Sequence, residues 1–128
     1  MVKIILSLIL QGDDFSPNKI KSTCGESMRD FNEPHEIGTI GRYRGIPIPY
    51  GSAIIQLSEN PQEWDALDEM LSFLKERISI YKAAGTEEMT LSLSIFHDGQ
   101  CNFGFTRDEL KLIHDLNVDI MISCYSEG

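Results

Sequence analysis

The chain has 128 residues, 41% hydrophobic and 24% charged, so it is long enough to form one domain with its own core, without a metal or disulfide. Eleven basic and twenty acidic residues give a net charge of −9, which disfavours nucleic acid and anionic membranes and either attracts basic proteins or serves only to keep the chain soluble. Three cysteines without CxxC spacing, and no apolar run long enough to span a bilayer, indicate a cytoplasmic protein.

The first half of the chain begins with two well-marked elements and then loses its periodicity. Alternating apolar residues predict a strand from Lys3 to Gln11. Ser16 is expected to cap a short helix that has Pro17 at its first position. Five glycines and three prolines interrupt the segment from Gly25 to Gly51, within which Thr39 to Tyr43 best fits a strand.

The strongest signal in the chain predicts a long helix from Asn60 to Gly85, preceded by a strand from Ser52 to Ser58. Asn60 suits the N-cap, Pro61 the first helical position and Gly85 the left-handed end. Apolar residues at alternating spacings of three and four predict one buried stripe. These residues are Trp64, Leu67, Leu71, Leu74, Ile78 and Tyr81.

The last third of the chain predicts a strand, a helix and a final strand. Strict alternation marks the strand from Glu88 to Phe96, and Cys101 to Phe105 is expected to be a short strand or an extended loop. A capping box, Thr106 with Glu109, opens the helix, and the last strand runs from Val118 to Tyr125. The predicted buried set of this helix is Leu110, Leu112, Ile113 and Leu116.

This order of elements predicts a single α/β domain of the α+β type, spanning residues 1–128. The predicted architecture is a two-layer sandwich with a mixed or antiparallel sheet of about five strands and helices packed on one face. The other sheet face is expected to be half polar. Its predicted residues are Ser7, Gln11, Gln56, Thr90, Ser92, Ser94, Ser123 and Tyr125, with Ile5, Ile9, Phe96 and Met121 as apolar positions.

Three segments in this order carry a family resemblance: Gly12 to Pro17, Asp98 to Thr106, and Glu109 to Tyr125. They resemble a bacterial domain-of-unknown-function family, the one numbered four-two-seven-nine. The resemblance covers the chain from about Leu6 to Tyr125 and implies a small bacterial cytoplasmic domain. Members often have a tryptophan where this chain has Gly51 to Ala53. The family has no assigned activity, so the resemblance implies no catalytic residues.

No arrangement of residues in the sequence indicates an active site, a metal site or a cofactor. The three histidines are far apart and none stands in an HExxH motif, while no cysteine pair has metal-ligand spacing. Cys101 has no base at a diagnostic spacing, as a nucleophile would require. The glycine-rich stretch from Gly38 to Gly45 lacks the Gly-Lys-Ser/Thr ending of a phosphate-binding loop. We therefore expect a protein that is not an enzyme.

These observations favour a binding protein, and the leading hypothesis is an acidic immunity protein that neutralises a basic, nuclease-type toxin. Acids near the start of the long helix and after the strand from Glu88 to Phe96 would attract the partner. Aromatic residues of the half-polar sheet face would become buried in the contact with it. The predicted partner-binding residues are Glu59, Glu63, Asp65, Asp68, Phe96, Asp98 and Tyr125. The alternative is a small-molecule sensing or binding module that uses the half-polar sheet face and the 25–51 segment.

Overall fold

The computed structural model describes residues 2–25, 28–58 and 60–127. Three α-helices lie against one face of a mixed sheet, as the sequence predicts, and this sheet has six strands where about five were expected. The strands are β1 (Val2–Gly12), β2 (Met28–Asn32), β3 (Gly51–Gln56), β4 (Gln62–Glu63), β5 (Glu88–His97) and β6 (Asp119–Ser126). The helices are α1 (Pro17–Cys24), α2 (Leu67–Ala83) and α3 (Arg107–Leu116).

The sheet is arranged around β1, with the strand order β2-β3-β1-β5-β6 and with β4 pairing the beginning of β1. All pairs are antiparallel except β5 with β6, which are parallel and joined through α3. This connection is the β-helix-β unit that a parallel pair requires. The fold is therefore the two-layer α+β sandwich predicted from the sequence.

The core lies between the helices and the helix-facing side of the sheet. Ile4, Leu6, Leu8 and Leu10 of β1 are completely buried, and so are their cross-strand neighbours Leu91 and Leu93 on β5. The helix α2 covers them with buried side chains spaced as the apolar stripe predicts, because three- and four-residue steps keep one helix face toward the sheet. These side chains are Leu67, Leu71, Leu74 and Tyr81.

The predicted start of the long helix at Asn60 is wrong, because α2 begins at Leu67. Gln62 and Glu63 instead form the short strand β4 against β1, and residues Trp64–Ala66 form one turn of 3₁₀ helix. The capping residues at Asn60 and Pro61 are local signals, and pairing with a distant strand overrides them. Trp64 still anchors this end of the core, since its ring packs 5.1 Å from that of Phe103.

The strand predicted at Thr39 to Tyr43 is also wrong. Gly41–Tyr43 is a 3₁₀ turn, and the residues around it form isolated bridges, including that of Ile37 with Pro47, and no strand. The true strand of this segment is β2, which is five residues long and lies at the edge of the sheet beside β3. So short a strand, with a bulge inside it, leaves no alternating pattern in the sequence.

The structure confirms the predicted capping of α3 but not its predicted buried set. The Thr106 hydroxyl accepts a hydrogen bond of 3.1 Å from the Glu109 N–H, and the Glu109 carboxylate accepts one of 2.7 Å from the Thr106 N–H. Ile113 and Leu116 are buried, whereas Leu110 is 53% exposed. Residues Cys101 to Phe105 form the extended loop rather than a strand.

The helix α1 is capped differently from the prediction. Ser16 precedes Pro17 as expected, but the Ser16 side chain does not cap the helix. Instead, the Glu33 carboxylate accepts hydrogen bonds from the Ser16 hydroxyl and from the Asn18 N–H. An acidic group at a helix N-terminus is favourable, and here it also ties α1 to the segment after β2.

Two glycines allow separate backbone segments to approach each other closely at the end of the sheet opposite β4. A Cβ atom at Gly51 would overlap the carbonyl oxygen of Phe15, so any larger residue would push β3 away from the turn before α1. Gly85 has a φ of +101° and lies against the backbone of Asp14. It is the helix-ending glycine that the sequence predicts.

The position of α2 predicts a sharp contrast between its two faces. Replacing Leu71 or Leu74 by Ala should lower the free energy of unfolding by about 2–5 kcal/mol, because each truncation leaves a cavity in a closed core. Glu69→Ala, on the exposed face of the same helix, should change it by less than about 0.5 kcal/mol. Denaturant unfolding measures all three, and equal losses would contradict the observed orientation of the helix.

Candidate functional site

Three of the predicted binding residues lie in one row across the open face of the sheet. Lys3 of β1 is opposite Glu63 on one side and Phe96 on the other, and Phe96 is opposite Tyr125 of β6. Directly opposite residues point to the same face of a sheet. The row therefore reads Glu63, Lys3, Phe96 and Tyr125 in order across four strands.

Phe96 and Tyr125 form an aromatic pair at the β6 side of this row. Their rings are stacked with centroids 5.3 Å apart and an interplanar angle of 21°. Tyr125 is 50% exposed and Phe96 is half-buried, so the pair presents aromatic surface to solvent. A rigid aromatic pair of this kind suits the buried centre of a protein interface, because it loses little conformational freedom on binding.

The predicted acidic residues gather at the same end of the molecule. This is where β1 begins, where β5 and β6 end, and where α2 and α3 start. Asp98 follows β5, Asp65 lies in the 3₁₀ turn after Glu63, and Asp68 is in the first turn of α2. We call Glu63, Asp65, Asp68 and Asp98 the acidic end. Glu59, the remaining predicted acid, lies outside the described residues.

The acidic residues do not all face the aromatic pair. Asp68 is on the helix side of the sheet, where its carboxyl is hydrogen bonded to that of Glu109 in the first turn of α3. This hydrogen bond raises the pKa of Asp68 above its ordinary value of 3.8, and burial and the charge of Glu109 raise it further. Burial alone would raise the pKa of Glu109, but hydrogen bonds from Asp68 and Thr106 outweigh it and the pKa is lowered.

A shallow groove of about 220 Å³ crosses the middle of the open face. Its floor combines apolar and hydroxyl side chains of β1 and β5, including Ile5, Ser7 and Ser94, and the aromatic pair closes one end. Gln56 of β3 and Arg29 of β2 line its other side. Within the described part of the chain, the Arg29 guanidinium has no carboxylate partner, so it presents an uncompensated positive charge to the groove.

The structure places the Cys101 thiol beside that of Cys124. Burial raises the pKa of the Cys101 thiol, and the neighbouring Cys124 raises it further, which holds Cys101 protonated at neutral pH. Across residues 2–25, 28–58 and 60–127, no three His, Cys, Asp or Glu side chains come together as metal ligands would. No helix of these residues is long and apolar enough to cross a membrane.

Sequence reasoning missed two charged residues of this face. Arg29 lies in the segment without periodicity, so nothing in the sequence placed it on a strand or beside the groove. Lys3 was expected in the first strand, and strand alternation put it on the open face, but only the pairing with β4 shows that it stands beside Glu63. Both positions depend on contacts between distant parts of the chain.

No protein-family model, curated protein or solved structure matches this chain. The resemblance to the bacterial family of unknown function is therefore still a prediction, and the functional argument depends on the geometry described above.

The free energy of unfolding depends on pH through both members of the carboxyl pair between α2 and α3, Asp68 and Glu109. The two dependences have opposite directions. Asp68 has a raised pKa, so its stabilising contribution is complete below pH 3.8 and is lost as the pH rises through its folded-state pKa. Glu109 has a lowered pKa, so its contribution is complete above pH 4.5 and is lost as the pH falls through its folded-state value.

Asp68→Asn should therefore raise the unfolding temperature at pH 7. Asparagine keeps a hydrogen-bond donor for Glu109 and removes the repulsion between two ionised carboxylates. At pH 3 the difference from wild type should shrink, since Asp68 is then already protonated. Asp65→Asn removes the same charge near the same helix end and serves as the control. Thermal unfolding at both pH values measures the effect, and identical behaviour of the two variants would contradict the pairing.

Proposed function

We propose that this chain is a non-enzymatic, cytoplasmic binding protein of the immunity type, which uses the acidic end and the adjoining aromatic pair to neutralise a basic toxin. The observation that carries this proposal is the convergence of separate parts of the chain on one end of the sheet. Glu63 of β4 lies in the row that contains Phe96 and Tyr125, and Asp65 and Asp98 lie in the 3₁₀ turn and in the loop after β5 at the same end of the sheet. The acids would attract a cationic partner, and the aromatic pair would become buried in the contact with it.

The two kinds of residue in this site would act on different steps of binding. Exposed acids raise the rate of encounter with a cationic partner, and this effect weakens as salt screens the charges. Aromatic side chains that become buried mainly determine how slowly the complex dissociates. The net charge of −9 extends the attraction over the whole molecule and is not confined to these residues.

The experiment uses a variant in which three acids of this end are neutralised together, Glu63→Gln, Asp65→Asn and Asp98→Asn. The matched control neutralises three exposed acids at the opposite end of the sheet, Asp13→Asn, Asp14→Asn and Glu88→Gln. Both variants have the same net charge. Any difference between them therefore reports the position of the charges on the molecule and not their number.

Immobilised wild-type protein and both variants are exposed to a lysate of the source cells, and the captured proteins are identified by mass spectrometry. We expect a basic protein to bind wild type and the control but to bind the acidic-end variant poorly. Its association rate with wild type should fall about tenfold or more between roughly 50 and 200 mM salt. The acidic-end variant should associate more slowly and with a flatter salt dependence.

Tyr125→Ala tests the aromatic contribution in the same assay. It should increase the dissociation rate constant while leaving the salt dependence of association unchanged. A wild-type association rate that does not respond to salt would exclude electrostatic recruitment. Failure of wild type to capture any basic protein would remove the proposal as a whole.

A second candidate function, the small-molecule binding module, is favoured by the Arg29 groove. The groove places one guanidinium, which has no carboxylate partner among the described residues, beside hydroxyl and amide groups, with apolar floor residues and an aromatic end wall. This chemistry suits a small organic anion, such as an aromatic carboxylate, since the guanidinium binds a carboxylate through two parallel hydrogen bonds. Arg29 comes from the 25–51 segment, which the sequence proposed as part of such a site.

Nuclear magnetic resonance titration with benzoate, and separately with inorganic phosphate, tests this candidate. The expected result is a set of saturable amide shifts confined to the groove, at Arg29, Gln56 and Ser94, that Arg29→Gln abolishes. Arg44→Gln, in the exposed loop away from the groove, should leave the shifts intact. Shifts that persist without Arg29, or that spread over the whole surface, would contradict an anion site in this groove.

A further inference from the structure

The edge strand β6 leaves its outer backbone and both of its faces open to solvent. It is the last strand of the sheet, and no other strand of residues 2–25, 28–58 and 60–127 lies beyond it. Ile120 and Ile122 point to the helix side but are still 38% and 42% exposed. Met121 and Tyr125 are exposed on the open face. Of the ten large hydrophobic residues that are exposed in the described part of the chain, four belong to this one strand.

The opposite edge of the sheet is protected in the way that natural proteins protect free edges. β2 has only five residues, Arg29 and Asp30 place charges on it, and its pairing with β3 is interrupted by a register shift. Asp30 also has a positive φ of 49°, which bends the strand away from regular pairing. These are the devices that prevent association of free strands.

Of these devices, β6 has only one charged residue at its beginning. The strand pairs with β5 over eight consecutive residues without a register shift, and it contains neither lysine nor proline. Asp119 at its beginning is its only charged residue. A regular, apolar and nearly uncharged edge is a template for another strand. The contrast with β2 indicates that β6 is covered when the protein is in its working state.

We propose that β6 is covered by β6 of a second copy of this chain, in an antiparallel pair that joins the two sheets across a two-fold axis. Such a symmetric interface uses the same patch on both copies, so the strand must be complementary to itself. This requirement can be examined residue by residue, because an antiparallel two-fold pair fixes which residues face each other once one pair is chosen.

The sheet face on which each side chain lies and the charges near the strand ends together select one register for this pair. Directly opposite residues must point to the same side of the sheet, which removes every register that places an even-numbered residue opposite an odd-numbered one. Of the remaining registers, two overlap seven residues of each strand. One of them centres on Ser123 and brings Asp119 opposite Glu127, which puts like charges in contact at both ends. The other centres on Ile122 and opposes no like charges.

In the register centred on Ile122, the exposed apolar residues of the helix side meet one another. Ile122 lies opposite its own copy, and Ile120 lies opposite Cys124 of the second copy. On the open face Met121 meets Ser123, and Asp119 meets the Tyr125 side chain. The pair would also form about six to eight backbone hydrogen bonds along the edge that is now free.

Salt dependence separates this association from the recruitment of a basic partner. Each copy carries a charge of −9, and no charged pair holds the interface together. Added salt screens the repulsion between the copies, so dimerisation should become tighter as salt rises. Binding to a basic protein should become weaker over the same range. The dimer therefore does not depend on the proposed immunity function.

The first experiment measures mass by sedimentation equilibrium in reducing buffer, with a protein concentration of roughly 100 µM, since a weak dimer forms only when concentrated. Wild type should have twice the 14.5 kDa mass of one chain. Ile122→Lys should have the single-chain mass, because it places two ammonium groups opposite each other on the axis. Ile40→Lys makes the same chemical change at an exposed loop residue and should leave the dimer intact.

The second experiment tests the register without disrupting the strand. In a background with Cys101→Ser and Cys124→Ser, Ile122→Cys should form a disulfide-linked dimer on mild oxidation, because the two new thiols face each other. Ser123→Cys in the same background should crosslink poorly, since residue 123 faces residue 121. Circular dichroism and thermal unfolding confirm that each variant is folded.

Each outcome bears on the proposal directly. A single-chain mass for wild type at this concentration, at both low and high salt, overturns the dimer. A dimer that survives Ile122→Lys, in protein shown to be folded, places the interface elsewhere. Strong crosslinking at residue 123 with none at residue 122 overturns the register. Loss of the dimer in Ile122→Lys but not in Ile40→Lys, together with crosslinking at residue 122, supports both β6 as the interface and the register centred on Ile122.

Discussion

The alternation of β1 is the constraint on which the rest of the structure depends. Four completely buried residues, Ile4, Leu6, Leu8 and Leu10, define the helix side of the sheet, and β1 pairs with β3, β4 and β5. A shift of one residue in any of these pairings would exchange the two faces of a strand and expose its apolar set. The register of β1 therefore determines which side chains are available on the open face.

The same constraint explains why the candidate site forms where it does. All helices cover one face, so the open face receives the residues between the buried ones, which are hydroxyls, amides and a few aromatic and aliphatic side chains. Antiparallel pairing brings the beginning of β1 beside the end of β5, and the connections to α2 and α3 leave from that end. Acids there are also close to two helix N-termini, whose positive partial charge offsets part of their repulsion.

The sequence predicts those parts of this structure whose signal is local and periodic. The alternation of β1 and β5, the α2 stripe and the Thr106 capping box each show up within one element, and the structure confirms them. The errors have a different origin. Asn60 and Pro61 are good helix-starting residues, but the backbone just after them pairs with β1, some 60 residues away. A pattern within one element does not show that competition, because pairing with a distant strand easily overrides helix propensity.

The residues of the candidate site also divide into those that the sequence could place and those that it could not. Phe96 and Tyr125 could be placed on the open face from strand alternation alone, and their stacking adds a contact between neighbouring strands. Arg29 could not be placed, because β2 takes its position from β3 and has no pattern of its own. The exposure of Leu110 was missed for a related reason. A helix at the side of the layer has one core face, and periodicity cannot show how far the neighbouring helix covers its flanks.

The proposed dimer and the proposed binding site constrain each other through the direction of β6. The acidic end lies where β6 finishes, and an antiparallel pair points the two copies of β6 in opposite directions. In the register centred on Ile122, the two Tyr125 residues are six residues apart along the strands, which corresponds to about 20 Å. This separation exceeds the screening length of about 8 Å at physiological salt, so the two acidic ends repel each other weakly. A parallel arrangement would bring them side by side. The antiparallel dimer therefore keeps two sites of like charge apart while leaving both open faces free, and each site would bind its own partner.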